Sequence, residues 1–250
     1  MRSRLNILFS LTTTPLRAPH IQPCIGSLAC TPSSEVSIVY NGHDIRTTQY
    51  QNVSLRRYTV RNDGPFVKYF GGPQFDDPRY VIVCDDDWAY SPLDIEALVF
   101  AMDASGRTGL AFQAKGIGGT VKPGGTGIKW WSQPCSQARP VDIITASSMV
   151  CFTWHDWLRL GNEVGKHCNA FSDTERLADD YTVSRILRGL GITVLALPIQ
   201  NTGFPRSYAL PYSHLPDALH ATAGGNNRRY MQLLKEDVEK GNLWWETNAK

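Results

Sequence analysis

Tyr80-Val81-Ile82-Val83-Cys84-Asp85-Asp86-Asp87-Trp88 decides the reading of this chain. Its short apolar, β-branched run predicts a buried strand, and three carboxylates stand where that strand stops. In an open α/β sheet the carboxyl ends of strands face the ligand crevice. Adjacent carboxylates raise one another's pKa unless a cation neutralises them. Strand alternation predicts that Asp85 and Asp87 point one way and Asp86 the other. Two hard oxygen ligands on one side suit Mg²⁺ or Mn²⁺, which keep waters and take substrate phosphates as their remaining ligands. An Asp cluster after a strand is also what a solvated turn or a helix cap looks like, and Ser91-Pro92 opens a helix shortly afterwards.

Outward from this stretch, the N-terminal side reads as strand, helix, strand. Asn6 to Leu11 is a strand ending in the hydroxyl-rich turn Thr12-Thr13-Thr14-Pro15-Leu16-Arg17, followed by a weak helix from Ile21 to Ala29. Val36 to Tyr40 is a second strand and Ser54 to Val60 a third; Asn62 to Tyr69 is a turn with a short helical piece. On the C-terminal side, Leu93 to Met102 is helical and Leu110 to Ala114 a strand. Lys115 to Pro140 is long and glycine-rich, with Trp130-Trp131 inside it, and reads as a flap over a pocket. Val141 to Thr145 and Ser148 to Thr153 are strand candidates, Trp154 to Leu160 a short helix. Asp179 to Arg188 is a clear helix, Ile192 to Leu197 the last buried strand, and Arg229 to Glu239 an amphipathic helix. Strands alternating with helices predict an α/β domain with a mostly parallel sheet covered on both faces.

Composition narrows the classes. The 250 residues are 42% hydrophobic and 19% charged, which suits one globular domain. A net charge of +2 is too mild to make nucleic acid the main partner. The 6 cysteines show no metal-binding spacing, so a reduced, cytoplasmic setting is expected. Leu5 to Leu11 is too short and too polar at Asn6 for a signal peptide, and no segment is apolar enough to predict an integral membrane span. Asn52-Val53-Ser54 fits a glycosylation sequon, which matters only in a secreted chain.

Four motifs in order carry a resemblance: Thr12-Thr13-Thr14-Pro15-x-Arg17 after strand one, Gly64-Pro65-x-x-Lys68, Asp85-Asp86-Asp87-x-x-Tyr90, and Asp179-Asp180 opening a helix. Together, over roughly Asn6 to Leu197, they resemble metal-dependent nucleotide-sugar glycosyltransferases of the GT-A fold, especially small inverting enzymes such as those carried by large algal viruses. The resemblance implies a Rossmann-like single domain over 1–250, with a nucleotide-binding half at about 1–114 and an acceptor-binding half at about 115–250.

It also implies roles. Asp85 and Asp87 would hold the metal and Asp85 the ribose, with Asp86 beside them; Lys68 would meet a phosphate or the base. Thr12, Thr14 and Arg17 would line the nucleotide cleft. Asp180 would deprotonate the acceptor hydroxyl, with Asp179 as its neighbour. His220, ahead of Gly224-Gly225 and Arg228-Arg229, would be a further metal ligand. The expected partners are Mn²⁺ or Mg²⁺, a nucleotide diphosphate sugar as donor, and a carbohydrate or glycoconjugate acceptor. Trp130 and Trp131 offer flat faces for a sugar ring, or simply pack the long loop. Asp142 is a weaker candidate for donor-sugar hydroxyls. Two alternatives stand beside this reading. One is a nucleotidyltransferase, although Thr12 to Arg17 lacks the glycines that class needs. The other is a catalytically silent carbohydrate- or nucleotide-binding protein.

Overall fold

The computed structural model describes residues 6–32, 34–40, 52–57, 64–69, 78–110, 114–117, 128–131, 138–197, 207–214 and 225–245. In chain order these form β1 (Ile7–Thr13), α1 (Gln22–Ala29), β2 (Ser34–Tyr40), β3 (Val53–Arg57), β4 (Tyr80–Val83), β5 (Trp88–Ala89), α2 (Pro92–Ser105) and β6 (Gly109–Leu110). Then come β7 (Ala114–Ile117), β8 (Ile128–Trp131), β9 (Arg139–Pro140), β10 (Val150–Thr153), α3 (Trp154–His167) and α4 (Asp173–Leu177). The chain continues with α5 (Asp179–Gly189), β11 (Leu195–Ala196), β12 (Tyr208–Ala209) and α6 (Gly225–Glu239).

A central sheet runs β3-β2-β1-β4-β10-β6-β11-β9. The four strands from β3 to β4 are parallel, as are β6 and β11, while β10 and β9 run against their neighbours. Alternation along β1 decides what covers each face. Ile7, Phe9 and Leu11 point to one side, where α1 and α2 cover them through Ile25, Leu28, Ile95, Leu98 and Met102. Leu8 points to the other, with Val81 and Val83 of β4, under Trp157 and Leu160 of α3 and Val183 and Leu187 of α5. Helix α2 ends at Gly106, whose φ of +62° is a left-handed position that glycine adopts without strain; its N–H bonds Met102 O at 2.8 Å. A third apolar cluster joins α5 to α6: Tyr181, Tyr230, Leu233, Leu234 and, after α6, Trp244 and Trp245.

This topology also fixes where a ligand belongs. The chain leaves β1 toward β2 and β3 on one side, then returns to place β4 on the other. The crevice between the carboxyl ends of β1 and β4 is therefore a topological switch point, the usual ligand position in such sheets.

The expected elements are found with several corrections. The third predicted strand is β3, and residues 58–60 of that prediction lie outside the described residues. Within the segment 115–140, β7 and β8 pair antiparallel, Ala114 opposite Trp131 and Ile117 opposite Ile128, while residues 118–127 and 132–137 lie outside the described residues. The predicted strand 110–114 accordingly splits between β6 and β7. In place of the strand expected at 141–145 the sheet takes β9 at Arg139–Pro140; Val141 N still bonds Val194 O at 3.0 Å, and Ile143 makes an isolated bridge. Residues 146–148 form a 3-10 turn, and Met149 follows at φ 57°, a positive value unusual for a side chain of this bulk. Helix α3 runs to His167 because Thr153 caps it, accepting from Asp156 N at 3.1 Å, and its apolar stripe Trp157, Leu160, Val164 continues past the expected end. Among the described residues no helix is long and apolar enough to cross a membrane.

Candidate active site

Strand β4 stops at Val83; Cys84 N still reaches Ser10 O of β1 at 3.1 Å, and Asp86-Asp87 then form a turn. Strand alternation therefore does not extend to the carboxylates, which corrects the expected two-way split. Arg17, in the turn after β1, bonds both Asp86 Oδ1 (2.7 Å) and Asp87 Oδ2 (3.2 Å) through Nη1. Asp85 turns instead to Lys68 Nζ at 2.7 Å.

The turn is held from several sides. The Tyr90 hydroxyl accepts from Asp85 N at 2.9 Å and donates to Asp85 O at 3.1 Å, which gives a reason for the tyrosine in Asp85-x-x-x-x-Tyr90. A C-terminal strap clips on from outside. β12 pairs with β5, Leu210 N bonds Asp87 O at 2.7 Å, and the Tyr212 hydroxyl donates to Asp86 O at 2.8 Å. Ser207 anchors that strap on Asp94, its N–H and hydroxyl both 2.7 Å from Oδ2.

The second acidic pair enters through the 3-10 turn Gly64–Tyr69, itself tied to β1 where the Ser10 hydroxyl donates to Lys68 O at 2.7 Å. Consecutive residues of that turn grip consecutive residues of α5. Lys68 Nζ lies 3.0 Å from Asp179 Oδ2, and the Tyr69 hydroxyl donates to Asp180 Oδ1 at 2.9 Å. Helix α6 adds Tyr230, whose hydroxyl is 3.3 Å from Asp180 Oδ2, and Ala146 N–H approaches Oδ1 at 3.4 Å. Helix α5 begins at Asp179 with Ala178 in the N-cap position, so Asp179 is not the cap that its place before the helix suggests.

Electrostatics follow from this crowding. Burial raises the Asp87 pKa to about 7, with the charges of Asp85 and Asp86 adding to it against Arg17 and Lys68. Burial also raises Asp86, against Arg17, and Asp179, against Lys68. Burial alone would lower Lys68, but Asp179, Asp85 and Asp180 hold its pKa well above the usual lysine value. Burial first, and the Asp180 carboxylate second, push the Tyr69 and Tyr230 phenols far up. Both hydroxyls are therefore donors at any physiological pH.

The donor set fits a divalent cation. Among the described residues, the five carboxylates Asp85, Asp86, Asp87, Asp179 and Asp180 gather around the cations Arg17 and Lys68. Among the described residues no three His, Cys, Asp or Glu form a ready cage. Mg²⁺ or Mn²⁺ needs only one or two carboxylates when phosphates and water complete the shell.

No protein-family model matches the chain, and no curated protein matches it in sequence. Solved structures do. A crystal structure of GalNAc-T7 with UDP, GalNAc and Mn2+ superposes with a TM-score of 0.56 at 9% identity, over 96% of this chain and 50% of that one. The fold is GT-A. At such identity the likeness is one of fold, and this chain spans about half the length of GalNAc-T7. S. aureus TarS 1-349 in complex with UDP is also similar, with a TM-score of 0.47 at 15% identity over 76% of this chain and 58% of that one.

Within the GT-A frame, the sites expected from sequence fall into three groups. Arg17, Lys68, Asp85, Asp86, Asp87, Asp179 and Asp180 converge at the switch point. Thr12 is the one half-buried residue of β1, next to the strand's end at Thr13, and Thr14 is exposed in the following turn, its hydroxyl accepting from Arg17 N at 3.3 Å. Thr14 thus shapes the Arg17 turn. Lys68 pairs with two carboxylates, Asp85 and Asp179. Asp142 is likewise engaged, accepting from Ile117 N at 2.7 Å and facing Arg188 at 3.4 Å, so it anchors the β7–β8 hairpin. Trp130 and Trp131 belong to β8. His220 lies outside the described residues.

Sequence reasoning missed Tyr69, Tyr212 and Tyr230. Tyr69 had a signal in its adjacency to Lys68. Tyr230 reads as one more apolar position of an amphipathic helix, and nothing local marks its hydroxyl.

Proposed function

We propose that this chain is a metal-dependent glycosyltransferase, moving a hexosyl, deoxyhexosyl or pentosyl group from a nucleotide diphosphate sugar to the hydroxyl of a carbohydrate or glycoconjugate, with inversion. The observation that carries the reading is Lys68 bridging Asp85 and Asp179. It brings the acidic turn that would face a donor diphosphate next to the helix start that would face an acceptor. The GT-A fold supports the same class, as do the UDP and Mn2+ bound by GalNAc-T7.

In this reading Asp85 and Asp87 would hold Mn²⁺ or Mg²⁺, with His220 as a further ligand, and a bound cation would stabilise charge on the leaving diphosphate. Arg17, which pairs with Asp86 and Asp87, would also meet a phosphate oxygen of the donor. Thr12, Thr14 and Asp86 line the nucleotide side. Asp180 takes the acceptor proton; its place in the first turn of α5 favours the ionised carboxylate that a base must be. Trp130 and Trp131 of β8 supply the acceptor side with aromatic faces. The nucleotide half is 1–114, the acceptor half 115–250, and the setting is cytoplasmic.

The direct test is a panel of UDP-, GDP- and dTDP-sugars with and without Mn²⁺, scored by thermal stabilisation and by release of nucleoside diphosphate. A ligand that binds only the folded state raises the melting temperature. One donor should do so in a Mn²⁺-dependent way and be turned over; a panel with neither effect would remove the proposal.

A further inference from the structure

We infer that Tyr69 and Tyr230 are positioning residues for Asp180, so that helix α6 is a working part of the catalytic centre. The inference rests on Asp180 acting as the base. Three segments distant in sequence deliver hydrogen-bond donors to one carboxylate. Tyr69 (2.9 Å) and Ala146 N–H (3.4 Å) meet Oδ1, and Tyr230 (3.3 Å) meets Oδ2. Both tyrosines are fully buried and Asp180 is 7% exposed.

Packing does not require these hydroxyls. Phenylalanine would fill the same core space, and a buried phenol without a partner is unfavourable. Two phenols arriving from different elements at the two oxygens of one acid do what packing cannot. They keep the acid anionic, because hydrogen bonds to the charged form favour it, and they fix the plane of the carboxylate.

Tyr230 is itself held in place. Its ring stacks on Tyr181 with centroids 6.1 Å apart, and the Tyr181 hydroxyl donates to Asp237 at 2.9 Å. A line of contacts thus runs from Asp237 in the last turn of α6 through Tyr181 and Tyr230 to Asp180. Tyr69 is held from the other side by Phe66, with centroids 6.5 Å apart, and by Lys68, whose Nζ stands 5.5 Å from its ring centroid. Asp180 is therefore oriented from both halves of the molecule, and a base held within a few tenths of an ångström retains the advantage of a fixed reacting geometry.

The test uses the full chain with Tyr69→Phe and Tyr230→Phe. Nucleoside diphosphate release is followed from whichever of the UDP-, GDP- and dTDP-sugars the wild type turns over, with Mn²⁺, across the pH range in which the fold is stable. Tyr69→Phe should lower kcat by about tenfold or more and leave KM for the donor unchanged. The acid limb of its pH profile should move to higher pH, since losing a donor to the ionised form raises the pKa of the base. Lys68, whose charge acts on Asp180, and Tyr230, which donates to it, are both unchanged in that variant. Tyr230→Phe, which removes the longer bond, should move both quantities the same way by less, and it decides alone if Tyr69→Phe does not fold. Wild-type kcat and pH profile in both variants, with only a lower melting temperature, would make the hydroxyls structural and overturn this inference alone. A wild type that turns over none of the donors overturns the proposed function and this inference together.

Discussion

Lys68 and Asp179 form an ion pair of 3.0 Å in which the two side chains are only 4% and 6% exposed. Since Lys68 Nζ also holds Asp85 at 2.7 Å, one ammonium group ties the end of β4 to the start of α5. A buried pair need not add stability as a whole, but removing one partner leaves an uncompensated charge behind. Lys68→Met, similar in volume, should therefore lower unfolding stability by about 3–5 kcal/mol, read from urea denaturation at neutral pH. Wild-type stability would mean that Asp85 and Asp179 find other partners and that Lys68 is free for a ligand.

Asp87 has the opposite expectation. Removing it relieves crowding among Asp85, Asp86 and Asp87, and Arg17 keeps Asp86 at 2.7 Å. Asp87→Ala should thus fold with a melting temperature at or above that of the wild type, while Mn²⁺-dependent nucleotide binding and donor turnover are lost. Excess chelator should abolish turnover by the wild type as well. Turnover that survives either change would contradict the metal assignment.

A third expectation concerns acid stability. Glu175 closes a capping box with Ser172, accepting from its N–H at 2.9 Å and its hydroxyl at 3.0 Å, and it pairs with Arg185. Burial raises the Glu175 pKa, but Ser172 and Arg185 outweigh it and the net shift is downward. A folded-state pKa below the unfolded one gives stability that is present above the unfolded value and lost as pH falls through the folded one. Thermal melts should show that loss below the usual glutamate range near pH 4. Glu175→Gln should flatten the pH dependence there, and an unchanged slope would show that other carboxylates carry it.

The C-terminal helix is fastened by one acid. Asp237 is 3% exposed and accepts from the Tyr181 hydroxyl, Trp244 Nε1 and Asn242 Nδ2 while pairing with Arg185 at 3.2 Å. Asp237→Ala takes the acceptor from the buried Tyr181 hydroxyl and Trp244 indole N–H and the counter-charge from Arg185, and should cost about 3 kcal/mol or more in urea denaturation. A loss within about 0.5 kcal/mol, the range of ordinary surface substitutions, would mean that the apolar contacts of α6 alone hold it.

The nucleotide side of the fold was legible because its signals are local. β1, β2 and β4 are apolar runs ended by turn residues, and Asp85-Asp86-Asp87 and Arg17 follow those ends directly. Helix α5 shows its apolar face through Val183 and Leu187. Strands β7 and β8 were not legible because four residues each are too few to show a period, and the contact that fastens β7, Ile117 N to Asp142, is remote in sequence. Asp142 drew notice for its position between apolar neighbours, yet its partners Ile117 and Arg188 are 25 and 46 residues away. Tyr230 is the plainest case: it counts as core in any periodicity, and its partner Asp180 lies 50 residues upstream. The split between Asp86 and Asp87 failed for a simpler reason, since strand geometry ends at Val83 and a turn obeys no alternation.

The most direct measurement of the central claim is NMR of the product formed from an anomerically defined nucleotide sugar, by wild type, Asp180→Asn and Asp179→Asn. The account predicts a wild-type product of opposite anomeric configuration to the donor. It also predicts that Asp180→Asn slows transfer by about 10²–10⁴-fold, the usual worth of a general base, with donor affinity kept. Retained configuration, or an Asp180→Asn variant that transfers at the wild-type rate, would contradict it.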